Sequence, residues 1–226
     1  MNATLVQTLA IGLGSSWVAG INLYASVAVL GMLGRWGGLE LPGELSVLTN
    51  GWVISVATAM YTVEFFADKI PYLDSAWDLA HTFIRVPAGA AIAALSFGDY
   101  SPVIQVIALL LGGGLALTSH GTKTATRAMI NVSPEPLTNI AVSVAEDGFT
   151  VGYLLLVYFL PLAALIVLIL GLLVTAILLP RIVRAVGRLF VYFRRPTTAR
   201  IETESTSQLE IERSMPTSPG GSVPAA

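Results

Sequence analysis

Two long stretches of this 226-residue chain carry no charged side chain: residues 1–34 and residues 148–180. Each is longer than the ~20 residues a helix needs to cross the hydrocarbon core of a bilayer. Soluble domains interrupt such runs with Lys, Arg, Asp or Glu. Here those four make up only 12% of the chain, against about 25% in soluble domains. The runs do not alternate polar and apolar residues, as the strands of a membrane barrel would. The sequence therefore predicts an all-α, polytopic integral membrane bundle, in which every backbone polar group is satisfied within its own helix.

About five to seven membrane segments are expected. The first runs to about Gly34, with Gly12, Gly14 and Gly20 able to bend it or admit a neighbouring helix. Arg35–Glu44 reads as a polar loop turning at Pro42-Gly43, and Gly51–Phe66 as the next segment. Pro71 is expected to break the chain. Asp74–Arg85 then forms a short helix, about 18 Å long and too short to cross, before Pro87 restarts one. Asp99-Tyr100-Ser101-Pro102 reads as a turn, Val103–Ser119 as a crossing, and His120–Ile130 as a second short polar helix. Ser133-Pro134-Glu135-Pro136 is another break, with Pro136 suited to a first helical turn. Pro161 divides the last apolar run, which exits at Pro180. The membrane domain covers residues 1–196, and residues 197–226, rich in Ser, Thr, Pro, Glu and Gly, read as a disordered tail.

Orientation follows from Arg181, Arg184, Arg188, Arg194, Arg195 and Arg200 after the last apolar run. Such a cluster predicts a cytoplasmic C-terminus. The N-terminus lacks the basic region of a signal peptide and is expected to be retained in the first segment.

Between Glu64 and Asp147 twelve charged side chains interrupt the apolar sequence. Ionisable groups at membrane depth are costly and mark substrate or ion paths. Asp74, Asp78, His81 and Arg85 recur at helical spacing and fall within an arc of about 60°. They suit a proton or ion relay, or a divalent-cation site made by Asp74, Asp78 and His81. The plainer alternative is an interfacial helix with its charges in water, Trp77 and Phe83 serving as anchors. Glu64 and Asp68, one turn apart, suit a proton or cation site. They equally suit a helix end reaching water, where Lys69 neutralises one carboxylate; Asp68 fits that second reading better and Glu64, lying deeper, the first. Lys123 and Arg127 share a face with His120 and Asn131, and with Arg85 they suit an anionic substrate; charge compensation alone would also place them there. Glu146 and Asp147 point about 100° apart on a helix, so only one is expected to face the interior. Gly112-Gly113-Gly114 suggests close helix packing.

Residues 52–98 and 101–147 share a layout: apolar helix, charged helix, proline, second helix. Superposing them matches Asp74 with Lys123, Asp78 with Arg127 and Pro87 with Pro136. Inverted repeats with broken or re-entrant helices are a common transporter plan, with the site at the repeat interface. Asp74 and Asp78 facing Lys123 and Arg127 would lower the cost of burying all four.

The strings GINLYASVAVLGMLGR, VEFFADKIPYLDSAWDLAHTFIR, PAGA, GGGLALTSHGTKTATRAMINVSPEP and TNIAVSVAED resemble the bacterial membrane family known as domain of unknown function 4126, over about Ala19 to Pro180. The resemblance implies a multi-pass protein of the bacterial inner membrane. It supplies no activity and no site residue. In layout, though not in motif, the chain is also similar to inner-membrane lipid flippases with inverted repeats and charged re-entrant helices.

The leading functional expectation is a secondary transporter or flippase. Glu64, Asp68, Asp74, Asp78, His81, Glu146 and Asp147 would couple a proton or cation. Lys123, Arg127, Arg85 and Asn131 would hold a small anionic or lipid-headgroup substrate, with no cofactor required. The alternatives are a membrane enzyme dependent on a divalent cation and acting on a lipid headgroup, and a structural or assembly protein whose charges lock helices together. No hydrolase triad can be built from the spacing of Ser119, His120 and the aspartates. The net charge of −2, with no basic patch interleaved with aromatics, predicts no nucleic-acid partner. The absence of cysteine excludes disulfides and thiol chemistry.

Overall fold

In the computed structural model, residues 4–70, 72–131 and 136–193 are described. The expected breaks at Pro71 and Ser133–Glu135, and the tail from Thr197, lie outside the described residues. Residues up to Val186 form one compact unit, and the site lies wholly within it. The elements in chain order are α1 (Leu5–Leu9), a π-helical turn (Ala10–Gly14), α2 (Ser15–Ala19), α3 (Leu23–Arg35), a 3-10 segment (Gly43–Thr49), α4 (Gly51–Ala67), α5 (Leu73–Ser96), α6 (Pro102–Ile130), α7 (Pro136–Phe159) and α8 (Pro161–Phe193). The fold is all-α, as composition demanded.

Four helices, α5 to α8, are long and apolar enough to cross a membrane, and three shorter apolar helices accompany them: Leu5–Ala19, Leu23–Arg35 and Gly51–Ala67. Their outer faces carry Val103, Leu110, Leu162, Ile169, Leu173 and Ile177, each more than half exposed. A surface this apolar is covered in a bilayer and uncovered in water.

The first apolar run is not one segment. It breaks at Gly20-Ile21-Asn22 into two halves of about 20 Å each, neither long enough to cross. Asn22 caps the second half, its Oδ1 accepting from the Ala25 N–H at 2.9 Å. Gly20 is required by close approach: a Cβ there would strike Ser119 Oγ and the Ala116 carbonyl on α6. The N-terminal half is the centre of the bundle. Ala10, Ile11, Val18 and Ala19 are fully buried, and α5 and α6 pack against it.

Proline and polarity break the other helices less than expected. α5 runs through Pro87 as one helix of 24 residues, so Asp74–Arg85 is the first half of a crossing helix. α6 runs through Ser119-His120 for 29 residues, and α8 passes Pro180 to end at Phe193. A single proline removes one helical N–H, and packing against neighbours compensates for it in membrane helices. The turn before Pro102, the start of α7 at Pro136 and the division at Pro161 fall where the sequence placed them.

α5 and α6 form an antiparallel hairpin, the most extensive helix contact in the unit. Its tight half is made by Gly89 and Ala93 against Gly112 and Ala116. A Cβ on Gly112 would lie 2.7 Å from the Gly89 carbonyl and strike Ala93. Two small residues four apart on each helix let the backbones meet. Gly112 thus packs closely as expected, whereas Gly114 faces open space.

Candidate functional site

The close approach at Gly89 and Gly112 fixes the register of the other half of the hairpin. Stepping about one turn at a time, Thr82 meets His120 at 2.7 Å, Asp78 meets Lys123 at 3.5 Å, and Asp74 meets Arg127 at 3.6 Å. The Asp-x-x-x-Asp-x-x-His-x-x-x-Arg stripe therefore faces the protein. Asp74, Asp78 and Arg85 are fully buried, and His81 is 6% exposed. This overturns the alternative of an interfacial helix with its charges in water.

Three cations anchor the network. Arg85 bonds Glu64 through Nη2 and Asp78 through Nη1, the latter at 2.7 Å. Lys123 Nζ donates to Asp68 at 2.8 Å and to the Ile21 carbonyl at 3.3 Å, and lies 3.7 Å from Glu146. Arg127 donates to Glu146 Oε2 at 2.7 Å and to Asn139 Oδ1 at 2.6 Å. Glu64, Asp68, Asp74, Asp78 and Glu146 thus share Arg85, Lys123 and Arg127. Five carboxylates face three cations, so the ionised network carries surplus negative charge. Glu64 Oε2, Asp68 Oδ1, Asp78 Oδ2 and Asp147 Oδ2 are buried with no hydrogen-bond partner among the described residues. Burying even a balanced ion pair costs several kcal/mol per ion before attraction offsets it. A surplus raises that cost and favours uptake of protons or a cation.

The histidines are oriented by their partners. His120 Nδ1 lies 3.1 Å from Arg85 Nη1, which only donates, so Nδ1 accepts. Its Nε2–H then donates to Thr82 Oγ1. His81 Nδ1 donates to the Trp77 carbonyl at 2.8 Å, and Tyr24 Oη lies 3.1 Å from Nε2. His81 stacks on Trp77 and makes no direct bond to a carboxylate among the described residues.

Several expectations are corrected. Asp68 does not reach water: it is 2% exposed and held by Lys123. Lys69 does not neutralise it; Lys69 donates to the Phe65 carbonyl at 2.9 Å and lies over the Phe65 ring. Glu146 and Asp147 both face the interior, because α7 is flanked by α6 on one side and α3 on the other. Glu146 takes Arg127, while Asp147 Oδ1 accepts from Asn22 Nδ2 at 2.8 Å. Asp74, Asp78 and His81 turn to different partners, and among the described residues no three acidic or histidine side chains converge as a metal site. Arg85 is enclosed by Glu64, Asp78 and His120. Asn131 donates to Asp74 and Ser75 at the end of α6.

Three residues of the site were not singled out from sequence: Asn22, Tyr24 and Asn139. Asn22 sits at the helix break, where the Ile21 carbonyl just beyond α2 accepts from Lys123 and α3 presents its amino end. Half-helices meeting inside a membrane protein have this polarity, carbonyls to cations and N–H groups to anions. Asn139, Ser143, Glu146 and Thr150 form a polar stripe on α7 at helical spacing, and that signal was present in the sequence. A cavity of about 180 Å³ meets the network where Lys123 and Glu146 come to its wall, with Trp17, Ile21, Thr122 and Thr175 also lining it.

A family model described as Domain of unknown function (DUF4126) matches residues 9–181. No curated protein and no solved structure matches the chain.

Proposed function

This chain belongs to the DUF4126 family, whose description carries no activity, and we propose from its site that it is a secondary transporter or flippase of an anionic substrate, coupled to protons or cations. The observation that supports this reading is the buried network in which Arg85, Lys123 and Arg127 serve five carboxylates beside a broken helix. A scaffold needs charges that balance; a surplus of carboxylates changes occupancy with protons or cations, and so can drive a conformational change. Coupling falls to Glu64, Asp68, Asp74, Asp78, Glu146 and Asp147. Lys123, which lines the cavity, and Arg127, which pairs with Glu146 at its wall, hold the substrate's negative group. The protein sits in the bacterial inner membrane with a cytoplasmic C-terminus, in keeping with Arg181 and Arg184 directly after the apolar stretch of α8.

Proteoliposomes test the reading. Native protein is expected to take up phosphate, or to move anionic phospholipid between leaflets, faster when a proton gradient is imposed. Asp78→Asn and Arg127→Gln are expected to abolish that coupling. Protein that moves no anion with or without a gradient, or activity unchanged in both variants, would refute it.

A further inference from the structure

We propose that the cavity between α2, α6, α7 and α8 is an oxyanion site, in which the carboxylate of Glu146 holds the anion's place until it is protonated. The proposal rests on the transporter reading and names its substrate group: a phosphate or similar oxyanion.

The geometry has four parts. Lys123 and Arg127 both address one oxygen, Glu146 Oε2, at 3.7 and 2.7 Å. The Glu146 side chain is 17% exposed, whereas the other three carboxylates sharing these cations, Asp68, Asp74 and Asp78, are 3% exposed or less. Glu146 is therefore the carboxylate at the cavity, and the others hold the cations from behind. Removing it leaves Lys123 with Asp68 at 2.8 Å and Arg127 with Asn139 at 2.6 Å, so both cations stay positioned. The cavity also offers hydroxyls. Thr175 is the sole hydroxyl-bearing or charged residue on α8 between Pro161 and Pro180, and it faces this cavity with Thr122 and Thr126. Finally, Trp17 lines the cavity while only 5% exposed, and its Nε1–H is buried with no partner among the described residues. An unpaired buried donor is costly, which marks the Trp17 side of the cavity as short of an acceptor. The volume of about 180 Å³ far exceeds the ~15 Å³ that admits one water.

The exchange is balanced. One proton from solution binds the Glu146 carboxylate, the neutral acid releases Lys123 and Arg127, and one oxyanion takes its place between them. The charged groups that face Glu146 are Lys123 and Arg127 from α6, Asp68 beyond α4, Asp74 and Asp78 from α5 through the shared cations, and Asp147 on its own helix. Among the described residues, α2 and α3 place no charged group there, and α8 carries none before Arg181.

The test uses the full chain in detergent, with calorimetric binding of inorganic sulfate, an oxyanion whose charge is constant across the neutral range. Native protein should bind sulfate more tightly as pH falls. Glu146→Gln should bind it at least about tenfold more tightly at neutral pH, a change of about 1.4 kcal/mol, with affinity flat in pH. Thr175→Val should weaken binding about threefold with no change in melting temperature. A parallel arm places native and Glu146→Gln protein in vesicles of phosphatidylglycerol or of phosphatidylcholine. Loss of sulfate binding in phosphatidylglycerol alone assigns the site to a lipid headgroup; equal binding in both assigns it to a free oxyanion. A folded Glu146→Gln variant that binds sulfate no more tightly than native protein overturns the proposal. If native proteoliposomes still couple anion movement to protons in that case, the transporter reading survives without this site. Tight sulfate binding by Glu146→Gln with no anion movement by native protein keeps the site and removes the transport.

Discussion

Replacing Arg85 with methionine should be among the most damaging changes to the bundle that leave every helix-forming tendency intact. Methionine matches the aliphatic stem and favours helix, so the loss is of the charge and its hydrogen bonds to Glu64, Asp78 and His120. Arg85 is fully buried and is the cation that holds Glu64, which has no other cation within 4.0 Å among the described residues. Asp78 differs: it keeps Lys123 at 3.5 Å. Removing one partner of a buried ion pair costs about 3–5 kcal/mol, because the other charge is left uncompensated. In a chain of this length each kcal/mol lowers the melting midpoint by about 2–4 °C, so a fall of about 6–20 °C is expected. Adding Glu64→Gln should restore much of it, since the stranded charge is then removed while Asp78 remains paired. The double-mutant cycle should give a coupling of about 2 kcal/mol or more. Melting followed in detergent by intrinsic fluorescence measures all four corners. A single variant that melts with native protein, or strictly additive effects, would refute the claim that Glu64 depends on Arg85.

Two glycines two positions apart should respond oppositely to alanine. Gly112→Ala places a Cβ 2.7 Å from the Gly89 carbonyl and into Ala93, and should cost about 1–3 kcal/mol. Gly114→Ala meets open space and should stabilise by about 0.5–1 kcal/mol through helix propensity; melting curves that move in one direction would contradict the packing described. Asn22→Ala removes both the cap of α3 and the donor to Asp147. It should cost about 2–4 kcal/mol by combining a lost cap with an unsatisfied buried acceptor, and adding Asp147→Ala should recover part of that. His120→Phe deletes the acceptor for Arg85 and the donor to Thr82; a loss of about 1–3 kcal/mol is expected, and thermal melting checks it.

The charged stripe was legible because its residues recur at helical spacing, and the cost of lipid exposure forces such a stripe inward. The pairing of Asp74 and Asp78 with Arg127 and Lys123 was legible for the same reason: opposite signs at matching intervals on consecutive helices. The break at Gly20–Asn22 was legible only in part: Gly20 was read as a point where the segment bends or a neighbour approaches, but one asparagine within an uncharged run did not suffice to mark a new helix start; its signal is Gly20 with a capping asparagine two residues on. Pro87 misled in the other direction. Proline's local rule breaks helices, but burial against neighbours overrides it in long apolar segments. Asp68 was misassigned because Lys69 lies next in sequence, although adjacent side chains on a helix diverge; the true partner, Lys123, comes from a helix far along the chain. Neutral amides such as Asn139 drew no notice, because their role is to hold a charged neighbour in place.

The central claim is that the buried network exchanges a proton for an anion at Glu146. Proton uptake on adding sulfate to lightly buffered protein measures it directly. The account predicts about one proton taken up for each anion bound by native protein, and none for Glu146→Gln, by linkage. Anion binding without proton uptake in native protein, or equal uptake in both, would contradict it.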